Sequence, residues 1–305
     1  MLRLPWPGLF RTIRTTKNWY SVLFLAFLLG RDCVAKFRDG DAFVIDKGQR
    51  PNYAFIRDMI ADNQAGRGPQ ARVTTLEGYG QVLDLNGCKF VVSPQFSFDS
   101  LYLAFFQKWF SDDDLSGYEV IDIGAYDGDT AIYFASKGAI VHAYEPVPEA
   151  YAMMQRNIAL NQMQETVLSY NCAVAQDTSA TMWIDTHTYE GSSSFFKVRR
   201  LSQTEKQIRV KSVTIEEALA RCASQTKKLL KMNCEGCEFT IVCESNAKLL
   251  KRFQKIFCFY HSNLTGIPRE SLLEVMQKNG FETIVNESQA LIIAIYTDCQ
   301  LPARL

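Results

Sequence analysis

The chain has 305 residues, 47 % of them apolar, with 33 basic residues balanced by 33 acidic ones. That composition supports a sizeable core and excludes a disordered polypeptide. A formal net charge of zero lacks the basic surplus of a dedicated nucleic-acid binder, so no nucleic-acid partner is expected.

From Met1 to Arg31 there are basic residues (Arg3, Arg11, Arg14, Lys17, Arg31) and no acidic one. The apolar run over 19–29 is shorter than the ~20 residues that a spanning helix needs. It reads as a helix capped near Thr15–Thr16 that packs on the body. Peripheral membrane contact and a signal peptide are the alternatives. Residues 35–38 and 42–45 flank Asp39-Gly40, and 82–85 and 88–92 flank Asn86-Gly87; both dipeptides signal hairpins. Between the hairpins, 53–61 reads as a helix and 63–70 as a polar loop. Residues 101–110 read as an apolar helix capped at Asp99 or Ser100, and 111–117 as an acidic linker. Residues 1–110 are thus expected to form a mixed α/β extension, and 111–305 a domain of their own.

From Tyr118 strands and helices alternate. Strands are expected over 119–123, 140–144, 166–175, 180–184, 229–232, 256–260, 281–284 and 290–296. Helices are expected over 130–137, 148–161, 214–222 and 269–278, while 239–244 fits either period. Repeated strand–helix units imply an α/β fold with a mostly parallel sheet and helices on both faces. The closing strand pair implies an antiparallel last strand.

The segment VIDIGAYDGDT, residues 120–130, carries the strongest signal. A buried strand runs into Gly124 and Gly128 and then into a helix, the arrangement that brings backbone and free N–H groups to a ligand. Asp122 at the strand end suits a cationic ammonium group. Glu145 ends the next strand, where a carboxylate accepts hydrogen bonds from ribose hydroxyls. A dinucleotide would need G-x-G-x-x-G, yet Tyr126 stands where the middle glycine would be and Asp122 would repel a pyrophosphate. The expected cofactor is therefore S-adenosylmethionine, held by Asp122, Gly124, Ala125, Tyr126, Gly128, Thr130, Glu145 and Pro146. The alternative is that Asp122 only caps the helix and Glu145 lies on the surface.

Residues 120–130, then HAYEP at 142–146, Glu149, Tyr151, Asn157 and Asn161, and LKMNCEGCE at 230–238 together resemble the FkbM-type methyltransferases. Asn18-Trp19 and Arg38-Asp39-Gly40 are similar to N-terminal parts of some members. The last long segment matches the family's Lys-x-Asp-x-Glu-Gly-x-Glu except that Asn233 replaces the Asp. Phe259 also stands where a Glu is common ahead of His261. The resemblance implies a class I, Rossmann-like methyltransferase that methylates a hydroxyl of a sugar, glycolipid or natural product. Because both departures remove a carboxylate, a catalytically degenerate S-adenosylmethionine-binding domain or partner subunit is the second reading.

Methyl transfer from a sulfonium chiefly needs alignment, helped by a base for the hydroxyl proton. His261 or Glu235 is the expected base, Asn233 positions the acceptor, and Glu238 points to the same region; helix-capping acids and a structural histidine are the bland alternatives. Cys234 and Cys237 form C-x-x-C, but no second half of a zinc site follows, so they are expected to be plain thiols and no metal is expected. The other cysteines show no disulfide framework, which suits a cytoplasmic chain, membrane-associated in the variant reading. His142 reads as a core histidine, and His187 has no assigned role. Arg199, Arg200, Lys206 and Arg209, after the run 191–194, read as a solvated face, with an anionic acceptor as the alternative.

Overall fold

The computed structural model describes residues 6–46, 50–93, 101, 104–105, 110, 114–176, 179–185 and 205–297. The chain divides into two compact units, Met1–Ser111 and Asp112–Leu305.

The first unit opens with a helix, Trp6–Thr15, that the sequence reading did not anticipate. The apolar run that follows is a short α-turn, Trp19–Ser21, continuing as a π-helix, Val22–Leu28, instead of one regular helix. Both hairpins form at their expected dipeptides: β1 (Cys33–Lys36) pairs with β2 (Ala42–Ile45), and β4 (Gly80–Leu85) with β5 (Cys88–Val91). Between them lies the helix Arg50–Gln64, longer than expected at both ends. An unforeseen strand, β3 (Ala71–Leu76), pairs antiparallel with β4. Its Ala71 and Val73 are buried while Arg72 and Thr74 are exposed, a period-2 pattern hidden by polar composition. The core gathers on Tyr53, whose ring packs against Phe27, Phe37 and Phe43. Its hydroxyl meets the Thr16 hydroxyl at 3.2 Å, so the polar end of a fully buried aromatic is satisfied. The expected helix over 101–110 lies largely outside the described residues, as do residues 111–113 of the expected linker; its remainder, 114–117, is a turn at the start of the second unit.

The second unit is built on β6 (Tyr118–Ile123), β7 (Ile140–Tyr144), β8 (Val167–Tyr170), β9 (Ala173–Val174), β10 (Ser179–Asp185), β11 (Glu205–Val213), β12 (Lys227–Met232), β13 (Lys255–Phe259), β14 (Phe281–Asn286) and β15 (Leu291–Tyr296). Seven strands form the main sheet in the order β14-β15-β13-β12-β6-β7-β8. The pairs from β13 through β8 are parallel, and β15 is antiparallel to both its neighbours. The central β6 is buried along nearly its whole length, as a strand covered by helices on both faces must be. The helices Asp129–Ser136 and Pro148–Leu160 follow β6 and β7. A capping box between Thr214 and Glu217 starts the helix Ile215–Ala220.

Three elements of this unit differ from expectation. The predicted strand 166–175 is broken after Tyr170, because the Asn171 amide donates to the carbonyls of Glu145 and Pro146 (2.9 and 3.3 Å); β9 then joins β11 in a small separate sheet. The basic stretch containing Lys206 and Arg209 belongs to β11. Its outer part, with Arg199, Arg200, the run 191–194 and His187, lies outside the described residues. The ambiguous 239–244 is helical, with the turn Glu238–Ile241 followed by the 3-10 turn Glu244–Asn246. Among the described residues no helix is long and apolar enough to cross a membrane.

Candidate active site

The carboxyl ends of β6, β7 and β12 converge on one rim. Gly124 follows β6 with φ +75°, and a Cβ there would lie 2.1 Å from the carbonyl oxygen of Asn233. Glycine is required because the chain leaving β6 passes directly against the chain leaving β12. The Asn233 N–H extends the ladder by donating to Ile123 (3.0 Å), and the Gly124 and Ala125 N–H groups both donate to Tyr144 (3.0 and 3.1 Å). Tyr126 adopts φ +50°, a left-handed conformation that a bulky residue holds only under tertiary constraint. That constraint is visible: its N–H donates to Glu145 Oε2 at 2.9 Å. The other Glu145 oxygen accepts from Val147 N at 2.8 Å. From the helix Pro148–Leu160, the buried Asn157 amide donates to Asp127 O at 2.9 Å and pins the loop. Sequence reasoning gave Asn157 no such role; only its place in the resemblance marked it.

Register brings Asp122 on β6 directly opposite Lys231 on β12. Both are buried, and the Lys231 ammonium sits 2.8 Å from Asp122 Oδ1. It also donates to Gly124 O at 2.8 Å, while Thr130 Oγ1 donates to Asp122 Oδ2 at 2.6 Å. The expected partner of Asp122 was a ligand ammonium. Within the protein that carboxylate is paired with a lysine, whose strand register the sequence could not reveal.

Four carboxylates are buried around this loop, Asp122, Asp127, Asp129 and Glu145, with Lys231 the buried ammonium among them. Burial pushes Glu145 up to about 7 against the pull of its two N–H donors. Burial raises Asp129 to about 6 although Lys231 opposes it. Asp127 is raised well above the usual carboxylate range by burial and then by the charge of Asp129, and neither of its carboxylate oxygens makes a well-formed hydrogen bond. An under-neutralised anionic cradle of this kind favours a cationic ligand. A sulfonium cofactor fits it and a pyrophosphate does not.

After β12 the chain turns through Asn233–Glu238. Glu235 and Gly236 have φ +53° and +111°, which swings both Glu235 and Glu238 toward His261, just beyond β13. His261 Nδ1 lies 2.5 Å from Glu238 Oε1 and its Nε2 lies 3.3 Å from Glu235 Oε1. Glu238 is fully buried and held at its second oxygen by the Gly236 N–H (2.9 Å), whereas Glu235 is a fifth exposed. Burial alone would lower the His261 pKa, but its bonds to the two carboxylates outweigh that and push it up to about 10. That shift favours the imidazolium form of the ring at neutral pH, with Glu235 the more exposed of its two carboxylate partners. Phe259, where a Glu was looked for, is buried.

Cys234 and Cys237 form a disulfide across Glu235-Gly236, a correction to the expectation of plain thiols. The turn brings the two Cα atoms within 5.6 Å, inside bridging range, and spacing alone could not show this. His142 is buried between Glu119 and Tyr170, with Nε2 3.5 Å from a Glu119 oxygen and Nδ1 3.3 Å from the Tyr170 hydroxyl, a core histidine as read.

A seven-stranded sheet in this order, with one antiparallel strand and a glycine loop facing an acidic strand end, defines the class I S-adenosylmethionine-dependent methyltransferases. A family model described as the methyltransferase FkbM domain matches residues 122–283. The chain belongs to that family: it is a methyltransferase whose cofactor is S-adenosylmethionine. Similar solved structures include a METTL16 MTase domain (TM-score 0.44, 10 % identity, 86 % of this chain and 85 % of that one). Others are the Methanococcus jannaschii fibrillarin pre-rRNA processing protein (0.41, 12 %, 77 % and 92 %) and Aeropyrum pernix fibrillarin in complex with S-adenosyl-L-methionine (0.37, 12 %, 86 % and 93 %). These likenesses are remote, and the assignment rests on the family match and the sheet itself. No curated protein matches the chain.

Proposed function

We propose that the chain transfers a methyl group to a hydroxyl oxygen of a small-molecule or glycan acceptor: a sugar, glycolipid or natural product. The observation that carries this reading is the Glu235–His261–Glu238 cluster, placed beside the glycine loop by the contact of Asn233 with Gly124. A hydroxyl acceptor must lose a proton, and such a cluster is suited to receive one. In this reading the buried Glu238 holds the imidazolium, the imidazolium orients Glu235, and the more exposed Glu235 accepts the proton. The Asn233 side chain makes no hydrogen bond with the described residues and is free to orient the acceptor. Gly124, Ala125, Tyr126, Gly128, Thr130, Glu145 and Pro146 would hold S-adenosylmethionine, which supplies an activated methyl on sulfur. Asp122 and Lys231 support that loop from within.

The test is methyl transfer from radiolabelled S-adenosylmethionine to a panel of hydroxylated acceptors, with Glu235→Gln beside the wild type. The variant is expected to lose about 10²–10⁴-fold in kcat with cofactor affinity unchanged. Full turnover by the variant would remove Glu235 as proton acceptor. Tight cofactor binding with no transfer to any acceptor would favour a non-catalytic binding subunit.

A further inference from the structure

We infer that the first unit carries a docking face for an anionic lipid bilayer, lying on the membrane surface without crossing it. The inference stands on different residues from the methyl-transfer site. Of the twelve large apolar side chains exposed among the described residues, seven fall between Phe10 and Val44. Phe10, Tyr20, Phe24 and Leu28 are each more than half exposed, and Leu29 nearly so.

These side chains are not simply apolar residues left over from the core. The same helices already have a packed side: Thr12, Thr15, Val22 and Ala26 are fully buried, and Phe27 packs on Tyr53. The exposed positions recur at helical spacing as a second, outward stripe. Phe10 and Arg14 lie on the first helix, and Tyr20, Phe24 and Leu28 on the α-turn and π-helix, with Lys17 exposed between the two. The neighbouring hairpin adds to it. Val34 and Val44 face each other across β1 and β2 and are both exposed, while Ala35, Phe43 and Ile45 point inward.

Charge decides what would cover this face. Arg14, Lys17 and Arg31 are exposed among the apolar positions, and none of the three has an ion-pair partner among the described residues; from Phe10 to Val44 six basic residues outnumber three acidic ones, Asp32, Asp39 and Asp41, and none of the acids precedes Asp32. Exposed aromatic, leucine and basic side chains along a run of short helical segments are what an interfacial segment needs: apolar groups enter the acyl boundary and cations meet anionic headgroups.

The experiment is flotation of the full chain with vesicles of phosphatidylcholine alone and of phosphatidylcholine mixed with phosphatidylglycerol. Flotation with the anionic vesicles, weakened by added salt, is expected. Phe24→Glu with Leu28→Glu, and separately Arg14→Glu with Lys17→Glu, should each weaken it by about tenfold or more, with melting temperature and S-adenosylmethionine affinity unchanged. Absence of flotation, or equal flotation with both vesicle types and in the charge-reversed variant, would overturn the inference. A concentration-dependent dimer that Phe24→Glu with Leu28→Glu abolishes, without vesicle binding, would assign the face to a second copy of the chain and overturn it equally.

Discussion

Glu145 concentrates the chemistry of the cofactor loop in one side chain. It is buried, bonded to two main-chain N–H groups and raised from 4.5 to about 7. A cationic ligand with hydroxyls to donate favours the ionised form, so binding expels a proton wherever Glu145 is protonated in the free protein. S-adenosylmethionine affinity should therefore rise with pH up to about 7 and then level off, as measured by calorimetry in buffers of different ionisation enthalpy. Glu145→Gln should weaken binding by about ten- to a hundredfold, the cost of hydrogen bonds to a charged group, and flatten the pH profile. Affinity independent of pH in the wild type would show that Glu145 does not meet the cofactor. The glutamate and its spacing from the glycines were readable from the sequence; its altered ionisation was not, because burial comes from residues far along the chain.

At the scale of elements, the site depends on two turns that pack against each other. The loop after β6 and the turn after β12 meet at Gly124 and Asn233, where a Cβ would stand 2.1 Å from a carbonyl oxygen. Gly124→Ala should cost at least about 2 kcal/mol in denaturant unfolding, from left-handed strain plus the clash, and should abolish cofactor binding. A variant that binds normally would mean that the strand ends separate freely. Local signals located β6, β7, β12 and β13 well, since buried parallel strands are short apolar runs with sharp ends. They failed at β3 and β11, whose polar residues mask the alternation. They failed also at 166–175, where a single asparagine turns the chain out of the sheet.

Across the whole molecule, two sets of buried charges tilt stability with pH in the same direction. Glu145 and Asp129 have raised folded-state pKa values, about 7 and about 6, so the free protein binds more protons than its unfolded chain. Their unfavourable ionisation begins near the unfolded values of 4.5 and 3.8 and is complete above about 7. His261 is raised from 6.5 to about 10, so its stabilisation is whole below 6.5 and is lost as pH climbs to about 10. The melting temperature of the cofactor-free protein should therefore fall from mildly acidic to alkaline pH. His261→Gln should flatten the alkaline limb alone. An alkaline limb unchanged in that variant would show that the ion pairs with Glu235 and Glu238 do not hold in solution.

The sequence by itself determined the α/β class, the antiparallel last strand, the glycine loop with its acidic partner, and the family. These rest on local periodicity and on motifs whose spacing is written along the chain. Only the tertiary structure decided that Lys231 pairs with Asp122, that His261 lies between Glu235 and Glu238, that Cys234 and Cys237 are joined, and that apolar side chains around Tyr20 face outward. Each of these depends on strand register, turn conformation or burial by distant segments, and those are set by the packing of the whole fold.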